Sequence, residues 1–119
     1  MSCFLYEIKI VVKQYKNDEF VEFMRTLSHN ISKQKGCLAY SVYRESVNEN
    51  TYSVMGKWRT RQAMDKHFKT QDFEVLIGAA KVLGETSEMN IAEVLQAGDL
   101  KLASKQIASQ DKVTQIRSS

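Results

Sequence analysis

An α+β domain with the element order β-α-β-β-α-β is the fold class that this 119-residue sequence predicts. Three observations predict it. Polar and apolar residues alternate with period two near the start and again over residues 37–58. Apolar residues recur at helical spacing in the segments between and after those stretches. A short polar link joins the two middle strands, which makes them antiparallel neighbours.

In the first strand, Phe4, Tyr6, Ile8, Ile10 and Val12 share one face and Glu7 and Lys9 the other, with Leu5 and Val11 implying that the second face is also covered in part. Asn17 or Asp18 is expected to cap the helix that follows, with acidic residues near its positive end and Lys33 near its negative end. Phe20, Phe23, Met24, Leu27 and Ile31 form its apolar stripe, and Gly36 is its stop. The second strand runs from Cys37 to Glu45, with Leu38, Tyr40 and Val42 on one face and Ala39, Ser41 and Tyr43 on the other. The stretch Ser46-Val47-Asn48-Glu49-Asn50 is the turn, and Thr51 to Trp58 the third strand, with Tyr52, Val54 and Trp58 together.

Thr60 is placed to cap a helix carrying Ala63, Met64, His67 and Phe68. A break at Thr70-Gln71-Asp72 precedes a second helical piece with Phe73, Leu76, Ile77, Ala80 and Leu83 inward and Gly84 as its end. Glu88 to Leu95 is the fourth strand, interrupted by Asn90 and Glu93. With right-handed crossovers this order gives the ferredoxin-like arrangement: four antiparallel strands with helices on one face. The helix-free face keeps apolar and aromatic groups, so a homodimer through that face is expected. A domain this small buries only roughly 65% of its unfolded surface, which favours such pairing. The boundaries expected are a folded domain over 1–97 and a polar extension over 98–119. There Leu100, Ala103 and Ile107, with Val113 and Ile116 beyond, predict a short helix packed on a partner subunit.

Composition excludes several classes. Hydrophobic residues are 43% and charged residues 26%, so disorder is not expected. No run approaches a membrane span, and the start, Met1-Ser2-Cys3-Phe4-Leu5-Tyr6-Glu7, lacks a basic leader, so a cytoplasmic protein is expected. Cys3 and Cys37 are far apart and read as small core residues of a reducing compartment. Residues 1–97 carry 13 basic and 12 acidic groups and residues 98–119 carry 4 and 2, too even a balance for a nucleic-acid or membrane surface. The glycines, Gly36, Gly56, Gly78, Gly84 and Gly98, make no phosphate loop. RNA-recognition domains share the strand order, but Thr51-Tyr52-Ser53-Val54-Met55-Gly56-Lys57-Trp58 lacks their basic-Gly-aromatic-Gly-aromatic run.

Two stretches carry a family resemblance. Gly36-Cys37-Leu38-Ala39-Tyr40-Ser41-Val42-Tyr43-Arg44 resembles the second strand of antibiotic-biosynthesis-monooxygenase-like domains. Lys57-Trp58-Arg59-Thr60-Arg61-Gln62-Ala63-Met64-Asp65-Lys66-His67-Phe68, followed by Asp72-Phe73, is similar to their third strand and broken helix. The likeness covers residues 4–95. It implies a dimeric α/β barrel. It also implies, for several members, oxidation of quinols or polyketide phenols by O₂ without metal or flavin. Other members degrade haem, and one relative isomerises a phosphorylated signal. The haem-degrading branch carries a histidine where this chain has Leu76, Ile77, Gly78, Ala79 and Ala80, which argues against haem.

A monooxygenase without a cofactor must make the substrate its own reductant. A phenol or quinol is deprotonated, its anion passes an electron to O₂, the radicals combine, and a peroxide collapses. The protein must supply a proton acceptor, a donor to the phenolate and a dry aromatic pocket. His67 is the expected catalytic base, because an imidazole transfers protons near neutrality. Trp58, Tyr40, Arg44, Phe68, Phe73 and Asn90 are the expected substrate contacts. Tyr6, Tyr43 and Tyr52 are read chiefly as packing, and Trp58 can equally be a core aromatic. His29 lies off the apolar stripe and reads as solvated. With two histidines and no helpful cysteine spacing, no metal and no cofactor are expected. The expected activity is therefore oxidation of a small aromatic or quinol-like compound with O₂. An isomerase on the same scaffold, with Lys57 or Arg59 binding phosphate, and a non-catalytic ligand-binding module are the alternatives.

Overall fold

Why the first strand forms is visible in its partners. Tyr6, Ile8, Ile10 and Val12 alternate and are all buried, while Leu5, Glu7, Lys9 and Val11 between them are half-buried on the other face. In the computed structural model, which describes residues 2–95 and 98–108, this strand β1 (Cys3–Val12) is followed by a 3₁₀ turn (Gln14–Lys16), helix α1 (Asn17–Ser32) and strands β2 (Cys37–Arg44) and β3 (Thr51–Trp58). Helices α2 (Arg61–Phe68) and α3 (Gln71–Leu83) and strand β4 (Gly84–Val94) complete the expected β-α-β-β-α-β order. A further helix, α4, covers residues 100–108.

The sheet order is β2-β3-β1-β4, all neighbours antiparallel, as the ferredoxin-like plan requires. The helices pack on the face that presents Tyr6, Ile8, Ile10, Tyr52, Val54 and Trp58, and the core joins these to Phe20, Met24, Ile31, Met64 and Leu76. Trp58, Tyr6, Tyr52 and Phe20 are the largest fully buried side chains. Such aromatics dominate core energetics because each removes roughly 150–250 Å² from water.

Three local expectations change. α1 has no side-chain cap: it grows out of the preceding 3₁₀ turn, and Asn17 instead bonds the Gln14 carbonyl and Asn50 and accepts from Tyr52 Oη. Leu38 does not share a face with Tyr40. A register shift sets Cys37 opposite Trp58 and Ala39 opposite Lys57, so Leu38 is the extra residue of a bulge and stays 43% exposed. β4 starts at Gly84 rather than Glu88, because the chain leaves α3 directly into extended backbone there. Val113 and Ile116 lie outside the described residues, and Leu100 and Ile107 on α4 are exposed.

Gly36 is required by conformation and by space. Its φ is +85°, and a Cβ there would stand 2.5 Å from the Cβ of Ala63. Its carbonyl accepts from Arg59 N–H, which ties the start of β2 to the end of β3 just before α2. Thr60 Oγ1 accepts from Ala63 N–H, the cap expected for α2, and Thr70 Oγ1 accepts from Phe73 N–H at the start of α3. The break between α2 and α3 thus has its own cap, and it sets the position of His67, the next-to-last residue of α2. Among the described residues, no helix is long and apolar enough to cross a membrane.

Candidate functional site

Antiparallel register brings the site together. Tyr6 pairs with Gly56, Phe4 with Trp58, and Tyr40 with Gly56 from the other side, so Tyr6 and Tyr40 flank one bare glycine and Trp58 lies two residues along. A Cβ on Gly56 would come within 2.9 Å of Trp58 Nε1, Tyr40 Cε2 and Tyr6 Cε2. The missing side chain is what lets three rings converge over the strand.

His67 enters this cluster from α2 and is only 1% exposed. Its ring stacks on Trp58, with centroids 4.4 Å apart and planes at 26°, and contacts the rings of Phe68 and Phe73. Nε2 is 2.7 Å from Tyr6 Oη, and Tyr6 Oη is 2.7 Å from Tyr40 Oη. On the other side, Nδ1 is 2.7 Å from Gln34 Oε1, and Gln34 Nε2 donates to Asp72 Oδ2 at 3.2 Å. Polar atoms are therefore strung from Tyr40 through Tyr6, His67 and Gln34 to Asp72, inside an aromatic shell.

Burial sets the electrostatics. It lowers the His67 imidazole from its ordinary 6.5 to about 4, against a smaller upward pull from Asp72, so the ring is neutral at neutral pH. Burial also pushes the Tyr6 and Tyr40 phenols far above their ordinary value; Tyr40 adds to the rise at Tyr6, whereas the hydrogen bond from Tyr6 partly offsets the rise at Tyr40. Trp58 is fully buried, and its Nε1–H finds no hydrogen-bond partner among the described residues. A buried donor left unpaired costs about 1–3 kcal/mol.

Two clefts reach this string. The first, of about 450 Å³, lies between α1 and β2, with Tyr40, Val42, Arg44, Tyr52, Met24 and Arg25 in its walls. The second, of about 440 Å³, lies over the turn after α1 and the α2–α3 break, where Gln34, His67, Asp72 and Lys66 meet it. Tyr40 thus faces one cleft and His67 the other.

Of the residues singled out from the sequence, His67, Trp58, Tyr40, Phe68 and Phe73 come together here. Arg44 stands apart from His67 but on the wall of the first cleft, donating to the Glu49 carbonyl, with its guanidinium 5.7 Å from the Tyr52 ring centroid. The neighbouring carboxylate, Glu45, pairs with Lys9. Asn90 is a correction. It pairs with Glu7 on the helix-free face and is exposed, because strand parity turns it away from Tyr6 and Trp58. Lys57, expected near the pocket by the isomerase alternative, pairs with Leu5 and lies on that same far face. Gln34 and Asp72 are residues that the sequence does not mark as site residues, and Tyr6, read there chiefly as packing, is at the centre of the string. A signal for Tyr6 was present: it lies on the same face as Trp58, and Gly56 in a strand interior marks a close approach. Among the described residues, no three His, Cys, Asp or Glu side chains gather to hold a metal ion.

Comparison with known proteins agrees with this architecture. Residues 4–78 match the family described as antibiotic biosynthesis monooxygenase. An uncharacterised protein of Synechocystis sp. is 29% identical over 92 residues, covering 76% of this chain and 63% of that protein, so the chain spans less than two thirds of that relative. The Bacillus subtilis protein YcnE, whose name proposes a monooxygenase, is 28% identical over 74 residues, covering 62% of this chain and 78% of its own length. Among solved structures, SnoaB of Streptomyces nogalater, described as a cofactor-independent oxygenase, superposes with a TM-score of 0.71 at 19% identity, covering 80% of this chain and 95% of that one. The converging sheet register, the broken second helix with its buried histidine, and the match over residues 4–78 lead to one conclusion: this chain belongs to the antibiotic biosynthesis monooxygenase family.

Proposed function

We propose that the chain is a cofactor-independent monooxygenase that oxidises a small phenol or quinol with O₂, binding it in the cleft between α1 and β2. The observation that carries this reading is the buried string of Tyr40, Tyr6 and His67, two hydrogen bonds of 2.7 Å that end on a neutral imidazole.

The substrate hydroxyl donates to Tyr40 Oη, the member of the string that lines the cleft. Its proton moves by exchange: to Tyr40, from Tyr40 to Tyr6, and from Tyr6 to His67 Nε2. No group travels, and each phenol is neutral before and after. The phenolate left in the cleft lies near Arg44 and Arg25, which offset its charge. It passes one electron to O₂. The resulting superoxide and substrate radical combine to form a carbon–oxygen bond, and the peroxide takes back the proton held on His67. Loss of water then converts the C–H carbon to a carbonyl, so one oxygen atom enters a quinone product and the other leaves in water. Trp58 is fully buried and lines neither cleft, so it supports the string by stacking on His67. The helix-free sheet face, with Leu5, Val11, Met55 and Tyr43, is covered by a second copy of the chain.

The test is oxygen uptake with a panel of naphthoquinols and simple phenols in chelator-treated buffer. Protein-dependent uptake, with quinone and water formed and no turnover without O₂, is expected. Uptake no faster than spontaneous oxidation across the panel, or turnover that persists without O₂, would overturn the reading.

A further inference from the structure

The imidazole of His67 accepts a proton from Tyr6 only if its own proton sits on Nδ1. A buried ring pressed between Trp58 and Phe73 does not decide this by itself. The side chain opposite Nδ1 decides it, and that side chain is Gln34. An amide can present either its oxygen or its NH₂, and the two choices reverse the tautomer.

The orientation of Gln34 is set by a third residue. Asp72, in the first turn of α3, places Oδ2 3.2 Å from Gln34 Nε2. A carboxylate only accepts, so the NH₂ must face Asp72 and Oε1 must face His67. Then Nδ1–H donates, Nε2 keeps its lone pair, Tyr6 donates to it, and Tyr40 donates to Tyr6. All four bonds follow from one acceptor at the end of the string. Packing does not supply this constraint, because Gln34 and Asp72 both border the open second cleft. Backbone bonds do fix where Gln34 stands: its N–H donates to the Ile31 carbonyl and its carbonyl accepts from Cys37 N–H, in the turn between α1 and β2.

We propose that Gln34, anchored by Asp72, is a positioning residue that holds His67 in the Nδ1–H tautomer, so that Nε2 is the acceptor facing the Tyr6–Tyr40 pair. This rests on the function proposed above for its consequence in turnover, though not for its structural content. Without Asp72 the amide flips, Nε2 becomes protonated, and His67 can no longer take a proton from Tyr6.

The experiment is ¹⁵N spectroscopy of histidine-labelled protein, in which only His29 and His67 contribute and His29 is exposed. In the wild type, His67 should show a protonated Nδ1 and an unprotonated Nε2. Asp72→Ala should mix or invert the two signals and lower kcat by about tenfold with little change in KM. Adding Gln34→Glu to that variant should restore both, because a carboxylate has no donor to present. A wild type protonated at Nε2, or an Asp72→Ala protein with unchanged signals, would overturn the proposal. Signals that respond as expected while kcat does not would uphold the clamp and overturn the role of His67 in turnover.

Discussion

Acid should destabilise this fold through a single buried ring. Burial lowers His67 from 6.5 to about 4, and one pKa unit corresponds to about 1.4 kcal/mol, so protonating the folded ring costs about 3 kcal/mol more than protonating the unfolded one. The sign follows from which state binds the proton. Above pH 6.5 neither does, and the full stability is present. Between 6.5 and about 4 only the unfolded chain takes it up, so stability falls as pH falls. Below about 4 both are protonated and this group removes nothing further. To isolate this group, the comparison is with His67→Gln, which carries no ionisable ring. Urea unfolding of both proteins at about pH 7 and about pH 4.5 should show the wild type losing about 2.5 kcal/mol more than the variant, or about 10 °C in melting temperature. Parallel losses in the two proteins would show that His67 is solvated or charge-paired in the folded state, not buried and neutral.

Two further outcomes follow from the same geometry. Gly56→Ala puts a methyl within 2.9 Å of three aromatic rings, so it should cost about 1–3 kcal/mol in chemical denaturation; a neutral result would mean that the rings do not converge there. Met55→Glu places a charge on the helix-free face opposite Glu7, so sedimentation should change from a dimer to a monomer with helicity unchanged; a monomeric wild type would remove the second copy from the account.

Much of this fold is legible in the sequence because burial is one-sided. Tyr6, Ile8, Ile10 and Val12 must face one way if any core is to form, and Phe20, Met24, Leu27 and Ile31 fall on one stripe for the same reason. What escapes notice depends on a single-residue offset. The bulge at Leu38 shifts parity without altering composition, and β4 is exposed almost throughout, so its residues carry no burial pattern to mark Gly84 as its start or to tell which way Asn90 points. The site divides in the same way. His67 and Trp58 stand out as rare residue types in a family pattern, whereas Gln34 and Asp72, 38 positions apart in sequence, are ordinary surface residues until folding joins them in one hydrogen bond. The buried histidine gains its neutral charge from the core around it, a property of packing that no local spacing expresses.

If a proton leaves the substrate through Tyr40 and Tyr6 to His67, then Tyr6→Phe cuts its path. That variant keeps the ring that packs on Phe68 and Phe73 and deletes the one oxygen that joins Tyr40 to His67. Single-turnover oxidation of a quinol that the wild type consumes should slow by about 100-fold or more, with substrate affinity within about twofold. Turnover at the wild-type rate in a folded Tyr6→Phe protein would contradict the account.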